Sequence, residues 1–406
     1  SGFNCTGFNS NFRDITETIG SLDVSGGVFH TGTAPWTVTG SVHFAGEGNT
    51  IFLGNSGSTS HFGSLSLTGM NAASSGNVPN SFNIYGNASP QSSVFVGSGG
   101  LTLDGSVIYL RNGSLTGAKG SRLVLDGDVT TTGTALSKIS EDTASGQYGT
   151  IAVELSSTAA AVTRTFNIGA GGADLTISVP VTNGASTSAG LTKTGSGTLT
   201  LSGASTYTGP TAVEAGTLLV NGSVTSDVAV NGGWLKGGGT VGGVVIGPAG
   251  SISAGNSPGL LSVDGDYEQS GLMLAELAGT TQGLTYDSIA VSGAATFGPG
   301  AVIDVDLIGF DPLFGDVFDI LTADEGIDAD LNSLVFDYSD AETQYFLRAQ
   351  IVSLGGPAEA LRLTAVPEPS AFILLALGAG LLAWPGRHRK RAVQGEPRKH
   401  HGVYIR

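Results

Sequence analysis

The sequence predicts an all-β fold in which short strands stack as a parallel β-solenoid. Three observations indicate this class: 65 of the 406 residues are glycine, charged residues make up 12%, and hydrophobic residues make up 40%. Few charges together with many glycines are also typical of disorder, but this chain has enough apolar side chains to bury a core. The glycines are therefore expected to mark many short turns between strands.

The element that repeats is an apolar-x-apolar-x-Gly pattern. Alternation with period two places both apolar side chains on one face of a strand, and the glycine permits the turn that follows. Each unit is too short to bury its own apolar face, so stacked units must bury one another. A β-sandwich with many hairpins is the alternative, but sandwiches rarely combine so much glycine with only 7% aromatic residues. The pattern occurs at residues 22–26, 36–40, 65–69, 101–105, 123–127, 199–203, 218–222, 228–232, 261–265 and 289–293.

Charge divides the chain into two parts of opposite sign. The formal net charge is −16. The residues after Gly386 carry seven Lys/Arg and one Glu, whereas the first 386 residues carry 10 Lys/Arg and 32 Asp/Glu. An acidic body repels phosphate groups, so nucleic acid is not expected as a partner.

The middle of the chain contains a more specific pattern, GLTKTGSGTLTLSGASTYTGPTAVEAGTLLVNG, over residues 190–222. It resembles the autotransporter-associated β-strand repeat, also called the passenger-associated transport repeat. Ser205 stands where that family usually has Asn. The resemblance implies right-handed β-helix coils in a secreted passenger. The residues that carry it are Leu191, Lys193, Gly195, Gly197, Leu199, Leu201, Gly203, Thr206, Tyr207, Gly209, Thr211, Val213, Gly216, Thr217 and Leu218.

The C-terminal region combines a proline motif, an apolar run and a basic cluster. Residues 369–386 are 18 consecutive uncharged residues, and as a helix they extend ~27 Å, close to the ~30 Å of a bilayer core. Trp384 suits the lipid–water boundary, and the basic residues after it are expected to stay in the cytoplasm. A buried core helix explains the length but not the basic cluster. The motif is Val366, Pro367, Glu368 and Pro369, and the cluster contains Arg387, Arg389, Lys390 and Arg391.

These three parts, in this order, resemble the PEP-CTERM sorting signal. The resemblance implies recognition by an exosortase, cleavage near the proline motif, and release or surface attachment of the body in a Gram-negative bacterium that makes extracellular polysaccharide. A signal peptide is not visible, and we expect one to have been removed from this sequence. The localisation expected is an inner-membrane intermediate followed by the cell surface or the extracellular space.

The sequence thus predicts four regions. They are a β-solenoid over 1–300, an acidic β cap over 301–365, a sorting signal over 366–391 with its apolar helix at 370–386, and a basic cytoplasmic tail over 392–406. Residues 302–342 contain 12 Asp/Glu and no Lys/Arg. A cap is needed because the open end of a solenoid exposes its core and an unpaired strand edge.

Motifs of catalysis are absent from the sequence, which has no phosphate-binding Gly-rich loop, no C-x-x-C pair and no H-E-x-x-H. We therefore predict no catalytic residue, no cofactor and a structural or adhesive role, with extracellular polysaccharide as a candidate partner. A secreted carbohydrate-active enzyme, a polysaccharide lyase or glycosidase, is the alternative. Paired aspartates are weak candidates for Ca²⁺ because hard oxygen ligands suit that ion. These are Asp126, Asp128, Asp264, Asp266, Asp304 and Asp306.

Overall fold

The structure is a computed structural model. It describes residues 2–11, 17–30, 36–46, 50–53, 59–70, 81–86, 92–112, 120–141, 151–169, 173–338 and 345–367. All regular secondary structure in these ranges is β-strand, and nearly every strand pairs in parallel with a strand of the next coil. The prediction of an all-β fold built from parallel stacked strands is confirmed.

The coils have three faces, and each face is a column of parallel strands. Four long strands bend from one face to the next: β1 (Gly2–Asn11), β3 (Ser21–His30), β4 (Trp36–Ala45) and β6 (Thr59–Thr68). Face 1 continues with β9 (Leu101–Asp104), β12 (Val129–Thr132), β15 (Val162–Asn167), β18 (Ala189–Thr194), β21 (Thr211–Val213), β24 (Val228–Val230), β27 (Val244–Ile246), β30 (Tyr267–Gln269), β33 (Ala295–Phe297) and β36 (Ile327–Asp328).

Face 2 contains β5 (Thr50–Leu53), β7 (Ser81–Gly86), β10 (Val107–Asn112), β13 (Ser137–Glu141), β16 (Leu175–Ile177), β19 (Thr198–Leu201), β22 (Thr217–Val220), β25 (Gly233–Gly237), β28 (Gly250–Ala254), β31 (Leu272–Leu277), β34 (Val302–Leu307) and β37 (Val335–Asp337). Face 3 contains β2 (Glu17–Ile19), β8 (Ser92–Val96), β11 (Ser121–Leu125), β14 (Ala152–Glu154), β17 (Val181–Thr182), β20 (Ala204–Ser205), β23 (Ser223–Val224), β26 (Thr240–Val241), β29 (Leu260–Val263), β32 (Ser288–Val291) and β35 (Val317–Ala323).

The core lies inside the three faces and is built from ladders of aligned apolar side chains. On face 2 one ladder runs through eight coils, and each member is buried. Fully burying one such side chain contributes about 1.5–3 kcal/mol, so neighbouring coils stabilise each other strongly. The ladder consists of Leu175, Leu199, Leu218, Leu235, Ile252, Met273, Ile303 and Phe336.

Coil length varies while this register is kept. Successive ladder positions are 17 residues apart between Leu218 and Leu235 but 33 apart between Ile303 and Phe336. Most of the extra residues lie in the corners, and others lengthen β35, so the columns remain aligned. This explains why the sequence pattern recurs at irregular intervals.

The direction of pairing reverses at the C-terminal end. Strand β39 (Ala358–Pro367) runs antiparallel to both β35 and β38 (Tyr345–Gly355). The Arg362 guanidinium holds it to β35 by donating to both carboxylate oxygens of Asp319, at 2.6 and 2.9 Å. Before this hairpin, β34 and β37 continue the parallel stacking beyond residue 300. The boundaries predicted at 300 and 365, and the right-handed sense of the coils, stay predictions.

The predicted apolar helix at 370–386 lies outside the described residues. The same holds for Glu368, Pro369, Trp384, Arg387, Arg389, Lys390 and Arg391. No helix able to span a membrane occurs in the part of the chain that the structure describes.

Candidate functional site

Face 3 carries a shallow open groove with a volume of about 290 Å³ across its last parallel strands. Its lining mixes hydroxyls, carboxylates and small apolar groups, and it contains no basic side chain. The lining residues are Thr240, Ser262, Val263, Asp264, Ala290, Val291, Ser292, Thr322 and Asp324.

The groove follows directly from strand alternation. Val241, Val263 and Val291 point inward and are buried, so the residue before each points outward. Pairing aligns Thr240 with Ser262, and further along it aligns Ala290 with Thr322. Neighbouring strands lie about 4.8 Å apart, which spaces these outward groups evenly along the stack.

A second polar row lies beside the first, where each strand enters its turn. The backbone N–H groups of Asp264, Ser292 and Asp324 donate to Val241, Val263 and Val291 respectively, which continues the register by one residue. All three side chains are exposed, and the Ser292 hydroxyl lies 3.4 Å from an Asp264 carboxylate oxygen. The groove thus offers hydrogen-bond donors and acceptors to a hydroxylated ligand, and its negative charge opposes anions.

Several of the aspartates considered for Ca²⁺ connect successive coils. The Asp126 carboxylate accepts from the backbone N–H of Ser157 at 2.8 Å and lies 3.6 Å from Arg164. Asp128 accepts from the N–H of Thr165 at 2.8 Å. These carboxylates therefore satisfy backbone donors of the following coil, a role that turn aspartates commonly have.

Asp266 has the same role, because its carboxylate accepts from the N–H of Ala294 at 3.0 Å. Asp304 and Asp306 lie on β34, where Asp306 is aligned with Glu276. Within the described ranges, no group of three or more His, Cys, Asp or Glu side chains is placed to hold a metal ion.

Lys193 is a charged residue inside the core. It occupies the ladder of face 1 between Phe166 and Val213 and is fully buried. Its Nζ donates to the carbonyl oxygens of Thr194 and Gly195, both at 2.8 Å, and of Ala215 at 3.0 Å. Burial lowers the pKa of Lys193 to about 8, and the nearby Asp174 carboxylate opposes this shift. The side chain closes a corner of one coil onto the next.

The neighbouring corner holds a chain of buried hydroxyls. The Tyr207 hydroxyl and Thr211 Oγ1 lie 2.7 Å apart, and Thr211 Oγ1 lies 2.7 Å from Ser226 Oγ. Burial raises the pKa of Tyr207 to about 12, so the phenol stays neutral. Three coils later the Tyr267 hydroxyl donates to Gln269 Oε1 at 2.6 Å, and burial raises the pKa of this tyrosine too. Such satisfied polar groups fix one arrangement of the coils.

Asp287 is a buried carboxylate at the corner before β32. It accepts from the backbone N–H of Gly259 at 2.8 Å and of Glu276 at 3.3 Å, and Ser253 Oγ lies 3.4 Å away. Burial raises the pKa of Asp287 to about 7, against the effect of these hydrogen bonds, and the Glu276 carboxylate adds to the rise. Asp287 fastens the loop before β29 to the loop after β31.

The comparison with family models finds two matches in the regions where the sequence pointed to them. The passenger-associated-transport-repeat model matches residues 191–220, and the PEP-CTERM protein-sorting motif matches residues 365–390. The chain carries both elements. No curated protein sequence matches the chain at a significant level.

The passenger-associated transport repeat coincides with the short coils from β18 to β22. Its Lys193, Tyr207 and Thr211 supply the buried polar contacts at the corners, and its Gly216 approaches Lys193 closely. A Cβ at Gly216 would lie 2.7 Å from Lys193 Nζ. The repeat therefore specifies how one coil closes onto the next.

The PEP-CTERM motif begins inside the folded hairpin. Val366 and Pro367 end β39, where they are aligned with Phe346 and Tyr345 of β38. The motif is a signal for export to the cell envelope and for processing by an exosortase. Its first three residues, 365–367, belong to the last strand of the body, so no spacer separates the body from the signal.

Sequence reasoning missed the groove, the interior position of Lys193 and the buried Asp287. The alternating Ser and Thr of the groove strands are visible in the sequence. Their adjacency is not, because it depends on coil lengths that vary. Asp287 shortly precedes an apolar strand, Ile289-Ala290-Val291, and this position is the one feature of the sequence that could have indicated its burial.

Proposed function

We propose that the chain is an exported cell-surface or extracellular-matrix protein whose solenoid acts by contact with a neutral polysaccharide. The observation that carries this proposal is the groove on face 3. Its hydroxyls and carboxylates, carried on adjacent strands, match the hydrogen-bonding groups of a sugar polymer. The acidic body favours a neutral or amino-sugar polymer over one rich in uronic acids.

Binding of the full chain to immobilised neutral glycans tests the proposal. Replacing Asp264 and Asp324 together by asparagine removes the charge of the groove, and replacing Ser262 by alanine removes a central hydroxyl. We expect each change to weaken binding at least about fivefold, since each hydrogen bond lost to a ligand costs about 1 kcal/mol. The control is Asp328→Asn, an exposed carboxylate on face 1. Equal binding by the groove variants and the control would contradict the proposal.

A glycosidase is the second candidate, favoured by the placement of Asp264 and Asp324 two strands apart on the same edge of the groove. At about 4.8 Å per strand their backbone positions are about 10 Å apart, just above the carboxyl separation of about 6.5–9.5 Å in inverting glycosidases. Release of reducing ends from a bound glycan, abolished by Asp264→Asn, would support the enzyme. Binding without release supports the contact role.

For sorting, we propose that residues 370–386 span the inner membrane with the basic cluster in the cytoplasm until an exosortase cleaves near Pro367-Glu368-Pro369. The uncharged segment is long enough to span a bilayer core, and the positive charges that follow it favour a cytoplasmic C-terminal end. The mass of the mature protein isolated from cells is the test. We expect a mass that lacks the basic cluster, and a mass that includes residues 387–406 would refute the processing step.

A further inference from the structure

One turn of the body exposes two large apolar side chains. Leu313 is 66% exposed and Phe314 is 64% exposed, and Val317 at the start of β35 is 44% exposed. Most large apolar side chains of the solenoid are buried, so this group stands out. Clustered exposed apolar residues mark interaction sites in soluble proteins.

The turn is held rigidly against the end of the hairpin. The Asp316 carboxylate accepts from the N–H of Leu313 at 2.8 Å, and the N–H of Asp316 donates to the Leu313 carbonyl at 2.9 Å. Gly315 N–H donates to the Ala365 carbonyl at 3.0 Å, and Ala365 N–H donates to the Asp316 carbonyl at 2.9 Å. The turn therefore sits beside Ala365, where the match to the sorting motif begins.

The chain leaves the body from the same place. Five Cα–Cα steps lead from Ala365 to Ser370, the first residue of the apolar segment. At no more than about 3.6 Å per step, Ala365 lies within about 18 Å of that segment. When the apolar segment is in a bilayer, the turn is consequently close to the lipid surface.

We infer that Leu313 and Phe314 dock this end of the body onto the surface of a lipid bilayer. The inference rests on the proposed membrane insertion of residues 370–386. Apolar side chains on a rigid turn enter the boundary between headgroups and acyl chains, as the apolar faces of interfacial segments do. Asp311 and Asp316 flank the two side chains, so a zwitterionic surface is favoured over an anionic one.

A labelled full-length protein in zwitterionic phosphatidylcholine vesicles provides the test. Cys5→Ser removes the natural thiol, and Phe314→Cys then carries an environment-sensitive fluorophore. Val245→Cys, at a 46% exposed apolar position on face 1, is the matched control. We expect quenching by lipid-attached quenchers to be at least threefold stronger at position 314 than at position 245, and to weaken in vesicles rich in anionic lipid.

Alkaline extraction of the same vesicles reports insertion of the apolar segment separately. A protein that resists extraction while position 314 is quenched no more than position 245 would overturn the docking surface and leave the membrane proposal intact. A protein that is extracted would overturn both.

Discussion

Replacing Lys193 by methionine separates the packing of this buried side chain from its charge. Methionine keeps a flexible stem of similar length between Phe166 and Val213, but it cannot donate to the three carbonyl oxygens. The lowered pKa of Lys193 means that its protonated form is less favourable in the fold than in the unfolded chain. The stability of the wild-type protein should therefore depend on pH in a way that the variant lacks.

The magnitude follows from linkage. The pKa of Lys193 falls from 10.5 to about 8 on folding. Between these values the unfolded chain holds the proton and the folded chain does not, so the free energy of unfolding rises with pH. From about pH 7.5 to about pH 9.5 the expected gain is about 2 kcal/mol. The difference between wild type and Lys193→Met should shift by this amount in favour of the wild type.

Urea unfolding followed by tryptophan fluorescence measures the effect. Trp234 lies on the neighbouring face and reports on these coils. Tyrosines such as Tyr207, whose pKa is raised by folding, begin to ionise in the unfolded chain at about pH 9.5, but they affect both proteins equally and cancel in the difference. Lys193→Ala is the packing control: because neither variant carries the amine, alanine should be less stable than methionine by about 2–3 kcal/mol at either pH. A wild-type-to-methionine difference that changes by less than about 0.5 kcal/mol would refute the reasoning.

Three further predictions concern the corners and the hairpin. Gly216→Ala places a Cβ 2.4 Å from a backbone oxygen at φ +70°, whereas at Gly300, where φ is +81°, nothing lies within 4 Å. In urea unfolding, Gly216→Ala should therefore lower the free energy of unfolding by at least about 2 kcal/mol more than Gly300→Ala does. Equal losses would contradict the close approach at Gly216. Asp287→Asn removes a carboxyl whose pKa is raised to about 7. Between pH 3.8 and 7 the folded protein keeps the Asp287 proton and the unfolded chain releases it, so the free energy of unfolding of the wild type should fall relative to the variant as pH rises. Parallel pH profiles of the two proteins would argue against this. Arg362→Lys replaces the two-bond contact between the Arg362 guanidinium and the Asp319 carboxylate by a single-point contact, so amide hydrogen exchange in β39 should accelerate by about tenfold. Unchanged exchange would show that the pair does not hold the hairpin.

The fold class could be predicted because the inward residues obey a local rule. Leu199 and Leu201, like Leu261 and Val263, alternate with polar residues before a glycine, and all four are buried. That rule predicts where the strands lie and which of their side chains face the core. It does not give the partner of each strand, because corner loops of different length separate the coils.

The candidate sites were harder to predict for a related physical reason. Lys193 breaks the apolar rule at an inward position, and the carbonyl oxygens that converge there, with the nearby Asp174 carboxylate, explain why a charge is tolerated. Thr240 and Ser262 lie in separate stretches of sequence and become neighbours through stacking. The spacing of Asp126 and Asp128 makes them weak Ca²⁺ candidates, and it does not reveal that each carboxylate accepts a hydrogen bond from the coil that follows.

The corners that absorb extra residues give this body an unusual freedom to change. The ladder from Leu218 to Phe336 keeps its alignment although the chain between rungs nearly doubles in length. Insertions at a corner therefore enlarge the outer surface and leave the existing core unchanged. Epitopes or binding loops can be added there one coil at a time. Descendants of such a protein would diverge fastest in overall length and outer surface, and they would stay recognisable by the short list of side chains that point inward.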